Sequence, residues 1–401
     1  MHEWFFWLSF FFLVGVLIAS ILPSVVGVVL ASLLLASILY FLNQKFLALI
    51  SLFAIIGSVY YLVFDFYQNR LPLVSKGIIV RAKQRLNYQE LVLDNDVKII
   101  TARYPKYQYG DKIVADGEIK KSQSPLLRGV MNYPKIQLVG QNQGNKIKAW
   151  LVNLRIAFEN NLKKVLPHDK AVFLSGLTVG DIAEISKEFD EALKASGTTH
   201  LVALSGYNIG IITNQLGWLL GFWPTLALVI AFVVMTGAEA SLVRAAIMGT
   251  ILLVAQRIQR KHSQRNAIIF AALIMVLFNP KILVFDLGFQ LSFLALLGII
   301  YFQPKLEKIS GYWVLKKYAW PTIAAQIAVL PLIILKFGRF NPLSVLANFL
   351  ILPLVPSTMY LGFIVGFLGF IAQSVSLLLA QLVNFLLTYE ISVINFFAFN
   401  F

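Results

Sequence analysis

The stretch HLVALSGYNIG, residues 200–210, decides how the chain is read. It holds a histidine, a serine, an asparagine and two glycines, and it runs on into apolar sequence. Polar side chains in a membrane segment face a bundle interior or a water path, because hydrocarbon offers them no partner. His200 and Ser205 invite a base–nucleophile reading. Five residues apart on a helix they fall on nearly opposite faces, and no carboxylate stands at a helical offset, so a hydrolytic dyad is rejected. Gly206 and Gly210, and again Gly217 and Gly221, have the spacing that lets helices approach closely.

The composition around this stretch is that of a polytopic membrane protein. The 401 residues are 58% hydrophobic and 13% charged, with mean hydropathy +0.76, where soluble domains carry about 25% charge. Apolar runs occupy 4–20, 24–42 and 46–67, with Lys45 between the last two. The first lacks a basic leader and an A-x-A-like cleavage site, so it is expected to be a retained span. Further runs cover 201–220, 222–237, 240–258, 266–279, 283–303, 319–336, 342–356, 358–373 and 376–399. The expectation is an α-helical protein of about eleven to twelve spans, the pair around Pro353 and Pro356 being open to a re-entrant reading. The links 257–265 and 303–318 are rich in Lys and Arg and are assigned to the cytoplasm. Counting spans then puts Met1 and Lys45 inside and residues 70–150 outside. Cysteine is absent, which excludes disulfides, zinc–thiolate sites and iron–sulfur clusters.

Residues 70–150 interrupt the apolar pattern. DKIVADGEIK (111–120) alternates, with Ile113, Ala115, Gly117 and Ile119 on one face, and YQELVLDNDVKIITAR (88–103) reads as two strands about a tight turn. Five or so short strands fit a small OB-type barrel, and a five-stranded sandwich fits the spacing equally. The segment carries fifteen Lys/Arg against six Asp/Glu, interleaved with Tyr88, Tyr104, Tyr107, Tyr109 and Tyr133. Basic groups beside stacking platforms suit single-stranded nucleic acid. A basic surface facing anionic headgroups is the other reading. Residues 151–197 link this domain to the membrane domain at 198–401. In the link Asp181 is expected to cap a helix whose stripe is Ile182, Ile185, Phe189 and Leu193.

Other polar residues join the opening stretch in the second membrane half: Glu239, Arg244, Asp286, Gln290, Gln326 and Asn348. Two classes fit them, a passage for a large polar or anionic substrate fed by the basic domain, or an ion-coupled secondary transporter. No P-loop, metal cluster or nucleophile motif is legible, so no cofactor, metal or catalytic residue is expected.

The opening stretch resembles the signature of the ComEC competence proteins, with His200, Ser205, Gly206 and Asn208 at its polar positions. LSGLTVGD (174–181), SLVRAAIM (241–248), FNPKILVFDLGFQLSFLALLG (278–298) and PLIILKFGRFNPLSVLANFLILPLV (331–355) resemble other blocks of that family in the same order. The resemblance implies a bacterial inner-membrane channel for single-stranded DNA in natural transformation, served by an external DNA receptor and a cytoplasmic ATPase. Its path residues would be His200, Ser205, Gly206, Asn208, Arg244, Asp286, Gln290 and Asn348. Arg244 is expected to meet phosphate, or else to pair with Glu239 or Asp286. Outside, Arg81, Lys83, Arg85, Arg103, Tyr104, Lys106, Tyr107 and Lys112 would gather the strand. Two departures stand out. Ala240 occupies a position where the family commonly has proline. Many members also continue into a metallo-β-lactamase-like domain, whereas His2, His168, His200 and His262 form no such cluster, so the expectation is that a separate polypeptide supplies the nuclease or that single strands arrive ready-made. The runner-up is a ComEC-like transporter of another polyanion or a small solute.

Overall fold

The computed structural model describes residues 2–22, 24–70, 75–85, 87–122, 124–202, 206–258, 263–308, 319–338, 341 and 343–399. It opens with helices α1 (His2–Ile21), α2 (Val25–Phe41), α3 (Lys45–Ser51) and α4 (Phe53–Arg70). α1 and α4 meet backbone to backbone. A methyl added at Gly15 or Gly57 would overlap the backbone of Ala54 or Phe12, and Ser58 Oγ donates to the Gly15 carbonyl at 2.7 Å.

Seven strands follow: β1 (Lys76–Gln84), β2 (Tyr88–Leu93), β3 (Val97–Ala102), β4 (Lys112–Asp116), β5 (Lys120–Lys121), β6 (Gly129–Asn132) and β7 (Lys135–Gly140). They pair in the order β5-β6-β3-β2-β1-β4-β7, with β3 and β6 parallel. Only residues 117–119 join β4 to β5, so the two ends of the β5-to-β4 order lie side by side and the sheet curls on itself. This is one curled, OB-like seven-stranded sheet, the β-ring, with β7 at its edge. Ile79, Leu91, Leu93, Val97, Ile99, Ile113, Ala115 and Met131 fill its interior, as period-two alternation requires. The tight turn between β2 and β3 has Asp96 at φ 61.

Three helices follow, α5 (Lys146–Val165), α6 (His168–Val179) and α7 (Lys187–Ala195). α7 starts later than the expected cap at Asp181. Asp181 Oδ1 instead accepts from Ala183 N–H at 2.9 Å in a local turn, and Ser186 Oγ caps the helix by accepting from Phe189 N–H at 3.2 Å. Ile182, Ile185, Phe189 and Leu193 still enter one core with Phe158, Leu162, Phe173 and Leu174.

The second half begins with a 3-10 turn, Thr199–Leu201. From Gly206 a single helix runs through α8 (Gly206–Gly210), a π-helical stretch (Ile211–Leu216) and α9 (Gly217–Leu220). Then come α10 (Phe222–Thr236), α11 (Ala240–Arg257), α12 (Gln264–Phe278), α13 (Ile282–Phe285), α14 (Leu287–Leu306), α15 (Trp320–Phe337), α16 (Ser344–Ile351), α17 (Val355–Leu368) and α18 (Gln373–Phe399). Among the described residues five helices are long and apolar enough to cross a membrane, or six if α16 and α17, bent by 50°, are one broken span. α2, α10, α12 and α15 are apolar but shorter. The expected run 283–303 is broken at Asp286, which ends α13 and caps α14.

The two ends of the bundle differ. At one end Arg265 lies 3.7 Å over the Phe6 ring, Arg257 lies 5.2 Å over Phe222, and Trp4 meets Phe46. Residues 2–7, the Lys45 link and the flanks of the 257–265 link therefore share a side. At the other end Lys281 pairs with Asp65 at 2.6 Å and the β-domain touches the loop after α10. The β-domain thus lies opposite the basic link.

Candidate functional site

The opening motif is built around the end of α6. That helix stops at Gly180 in the left-handed region (φ 74), which leaves carbonyls in its last turn without helical partners. Asn208 Nδ2 donates to two of them, Leu177 at 3.1 Å and Thr178 at 2.7 Å, and the side chain is buried. Asn208 ties α8 to α6. His200 sits on the 3-10 turn and is exposed. Ser205 lies outside the described residues. Gly206 and Gly210 do not set helix spacing: a methyl at Gly206 would meet Ala245 at an ordinary 3.8 Å, and one at Gly210 only its own helix. After the motif, Gly217 N–H reaches the Ile212 carbonyl five residues back, a π-type bond of the kind that recurs at functional sites.

Arg244 stands in the second turn of α11, half-buried, with its guanidinium 5.8 Å over the Phe293 ring. Its Nε is buried without a hydrogen-bond partner. Neither expected carboxylate reaches it. Glu239 pairs with Lys83 at 3.2 Å, and Asp286 Oδ1 accepts from Phe289 N–H at 2.9 Å. Gln290 Nε2 donates to the Leu283 and Val284 carbonyls at 3.2 and 2.6 Å, bridging the α13–α14 break, and its Oε1 is unpartnered. Gln326 Nε2 donates to Ser344 Oγ at 3.3 Å. Gly197 packs on Ser344, and Asn341 Nδ2 donates to the Ala195 carbonyl at 2.7 Å. A seam of polar residues thus occupies α11 and α14, where Arg244 lies over Phe293, and α15 and α16, where Gln326 meets Ser344 beside the loop bearing His200. In it Arg244 Nε, Gln290 Oε1, Ser292 Oγ, Gln326 Oε1 and Asn348 Oδ1 all lack protein partners. Such atoms call for partners outside the protein, since leaving each unpaired costs about 1–3 kcal/mol.

Glu390 was missed by sequence reasoning. It is fully buried on α18, accepts from Thr358 Oγ1 at 2.7 Å and leaves Oε2 unpartnered. The available signal was a lone acid inside a 27-residue apolar helix.

The contact residues expected in 70–150 separate into groups. Tyr107 is in the β-core. Arg81 Nη2 donates to the Gly237 carbonyl, and Lys83 is held by Glu239. Arg85 lies 4.0 Å from Glu90, and Lys112 sits on β4 at an irregularity in its pairing with β7. Arg103, Tyr104 and Lys106 do come together. Tyr104 is 67% exposed, with Arg103 at 5.8 Å and Lys106 at 5.7 Å from its ring. Gln89, also missed, holds this loop from beneath: Nε2 donates to the Ala102 and Pro105 carbonyls at 2.8 and 2.6 Å, and Oε1 accepts from Tyr107 N–H. A recess of about 330 Å³ lies apart from the seam, lined by Asn87, His168, Asp169, Glu184, Ser186, Lys187 and Glu188. Three carboxylates make it a poor phosphate site.

On α5, burial first and then Asp181 push the Glu159 carboxyl up to about 8. Arg155 Nε approaches at 3.4 Å, but neither it nor Glu159 Oε1 has a hydrogen-bond partner, so the approach does not offset burial. A carboxyl raised above its unfolded value holds its proton more tightly when folded, so its contribution to stability falls as pH rises from about 4.5 to about 8. Glu159→Gln is expected to raise the melting temperature by about 2–4 °C at pH 8 and little at pH 5. Parallel melting curves for variant and wild type across pH 5–8 would contradict this.

Comparison with known proteins converges on the same region. A family model described as Competence protein matches residues 177–400, more than half of the chain. The chain belongs to the ComEC competence protein family. ComE operon protein 3 of Bacillus subtilis (strain 168) is 29% identical over 249 residues, which is 59% of this chain and 31% of that protein. The chain thus spans about a third of that relative's length. No solved structure matches. The competence match starts at Leu177, whose carbonyl Asn208 ties, and takes in the whole seam, while the β-ring lies before it.

Proposed function

We propose that this protein is a channel of the bacterial cytoplasmic membrane that passes single-stranded DNA during natural transformation, with about eleven to twelve spans once the shorter apolar helices are counted with the long ones. Arg244 carries the reading. A strand bears one negative charge per nucleotide and cannot enter hydrocarbon bare. It needs a wet route with few, weak cationic contacts, since a dense array would hold it. One guanidinium without a carboxylate, followed by neutral amide and hydroxyl groups lacking protein partners, has that chemistry. Competence-family membership supplies the biological setting. An external DNA receptor and a cytoplasmic ATPase are the partners this reading calls for.

The Arg103–Tyr104–Lys106 platform is the strand's contact outside, stacking a base on the ring and meeting phosphate with the two cations. Tyr104→Ala is expected to weaken binding of single-stranded oligonucleotide to the purified full chain by about 5- to 100-fold. Wild-type affinity should fall steeply between 50 and 200 mM salt. Binding that is indifferent to salt and to Tyr104→Ala would remove the platform from the account.

One observation favours an ion-coupled solute transporter, namely Glu390, an acid enclosed among apolar helices. Glu390→Gln with DNA uptake intact argues for the channel. An ion-driven solute flux in proteoliposomes that this change abolishes argues for the transporter.

A further inference from the structure

Two of the expected strand contacts are occupied by the protein itself. β1 reaches the loop between α10 and α11, residues 237–239, through two adjacent cations. Arg81 Nη2 donates to the Gly237 carbonyl, and Lys83 Nζ lies 3.2 Å from Glu239 Oε1. The loop is left-handed at two successive residues, Gly237 (φ 88) and Ala238 (φ 55), a conformation that alanine holds only when its surroundings impose it. Glu239 is the residue that starts α11. Its side chain makes no capping bond to the helix and reaches instead to Lys83. Arg244 follows five residues later on the same helix.

We infer that Arg81 and Lys83 are positioning residues that seat the β-ring on the α10–α11 loop, directly before Arg244, and that Lys83 neutralises an acid standing at the mouth of an anion path. The inference rests on the channel reading for its functional half and on geometry alone for the docking half. A bare carboxylate at that mouth would repel each arriving phosphate. Paired with Lys83, it becomes an anchor.

The test is a charge exchange in the full-length protein: Lys83→Glu, Glu239→Lys and the double variant. The chain has no cysteine, so spin labels at Glu118→Cys on the β-ring and Ile258→Cys at the far end of α11 report docking without background. Lys83→Glu sets two acids together and is expected to broaden the label distance distribution and cut DNase-protected uptake roughly five- to tenfold. The exchanged pair should narrow the distribution again and restore uptake to within about twofold, because an ion pair works in either direction. A narrow distribution with uptake still lost would make Lys83 a direct strand contact and overturn the positioning role. Single variants that change neither readout would overturn the inference outright. Should the wild type import no DNA, the channel reading fails, and the distance distributions still decide the docking.

Discussion

Arg244→Gln is expected to reduce DNase-protected DNA uptake about 30- to 100-fold while making the protein more resistant to unfolding. Both halves follow from one environment. The guanidinium is half-buried, has a ring beneath it, and has no carboxylate to offset its desolvation. Removing a cation in that position relieves a cost that folding carries. A phosphate in the path would meet it through charge-assisted hydrogen bonds worth about 2–3 kcal/mol, hence the fold-change. Structural residues lose stability when removed, whereas a residue kept for cargo loses function and gains stability. Thermal unfolding in detergent alongside uptake in cells separates the two. Arg244→Gln with a lower melting temperature and uptake falling in proportion would make Arg244 a packing residue.

Asn208→Asp is expected to do the reverse. The change is nearly isosteric but replaces a donor with an acceptor, against the carbonyls of Leu177 and Thr178. Two buried carbonyls lose their donor and face a carboxylate, a loss of roughly 2–5 kcal/mol. The amount of folded protein in the membrane should drop sharply, and uptake per folded molecule should stay near wild type. Undiminished folding with uptake abolished would return Asn208 to the path lining.

The sequence is most informative where chemistry is local. Alternation in 88–102 yields β2 and β3, and their tight turn falls where Asp96 adopts a positive φ. Apolar runs locate most helices of the second half to within a few residues. What the sequence hides is long-range partnership. Lys83 and Glu239 are 156 positions apart, so nothing local marks Lys83 as an anchor in place of a free cation. Asn208 and Gln290 stand out as polar residues in apolar surroundings, but their bonds go to backbone freed by a helix end and a helix break that hydropathy does not register. Gln89 lies within an ordinary alternating strand, and its burial beneath the Tyr104 loop depends on a chain turn thirteen to eighteen residues on.

The central claim is that single-stranded DNA passes through this protein. Its most direct test is DNA uptake in the source organism with and without the gene, scoring DNase-protected label, transformants and surface-bound DNA separately. Protected label and transformants are expected to vanish on deletion while surface binding persists, and both should return with the wild-type gene but not with Arg244→Gln. Protected label unchanged by deletion, in cells shown to take up DNA, would contradict the account.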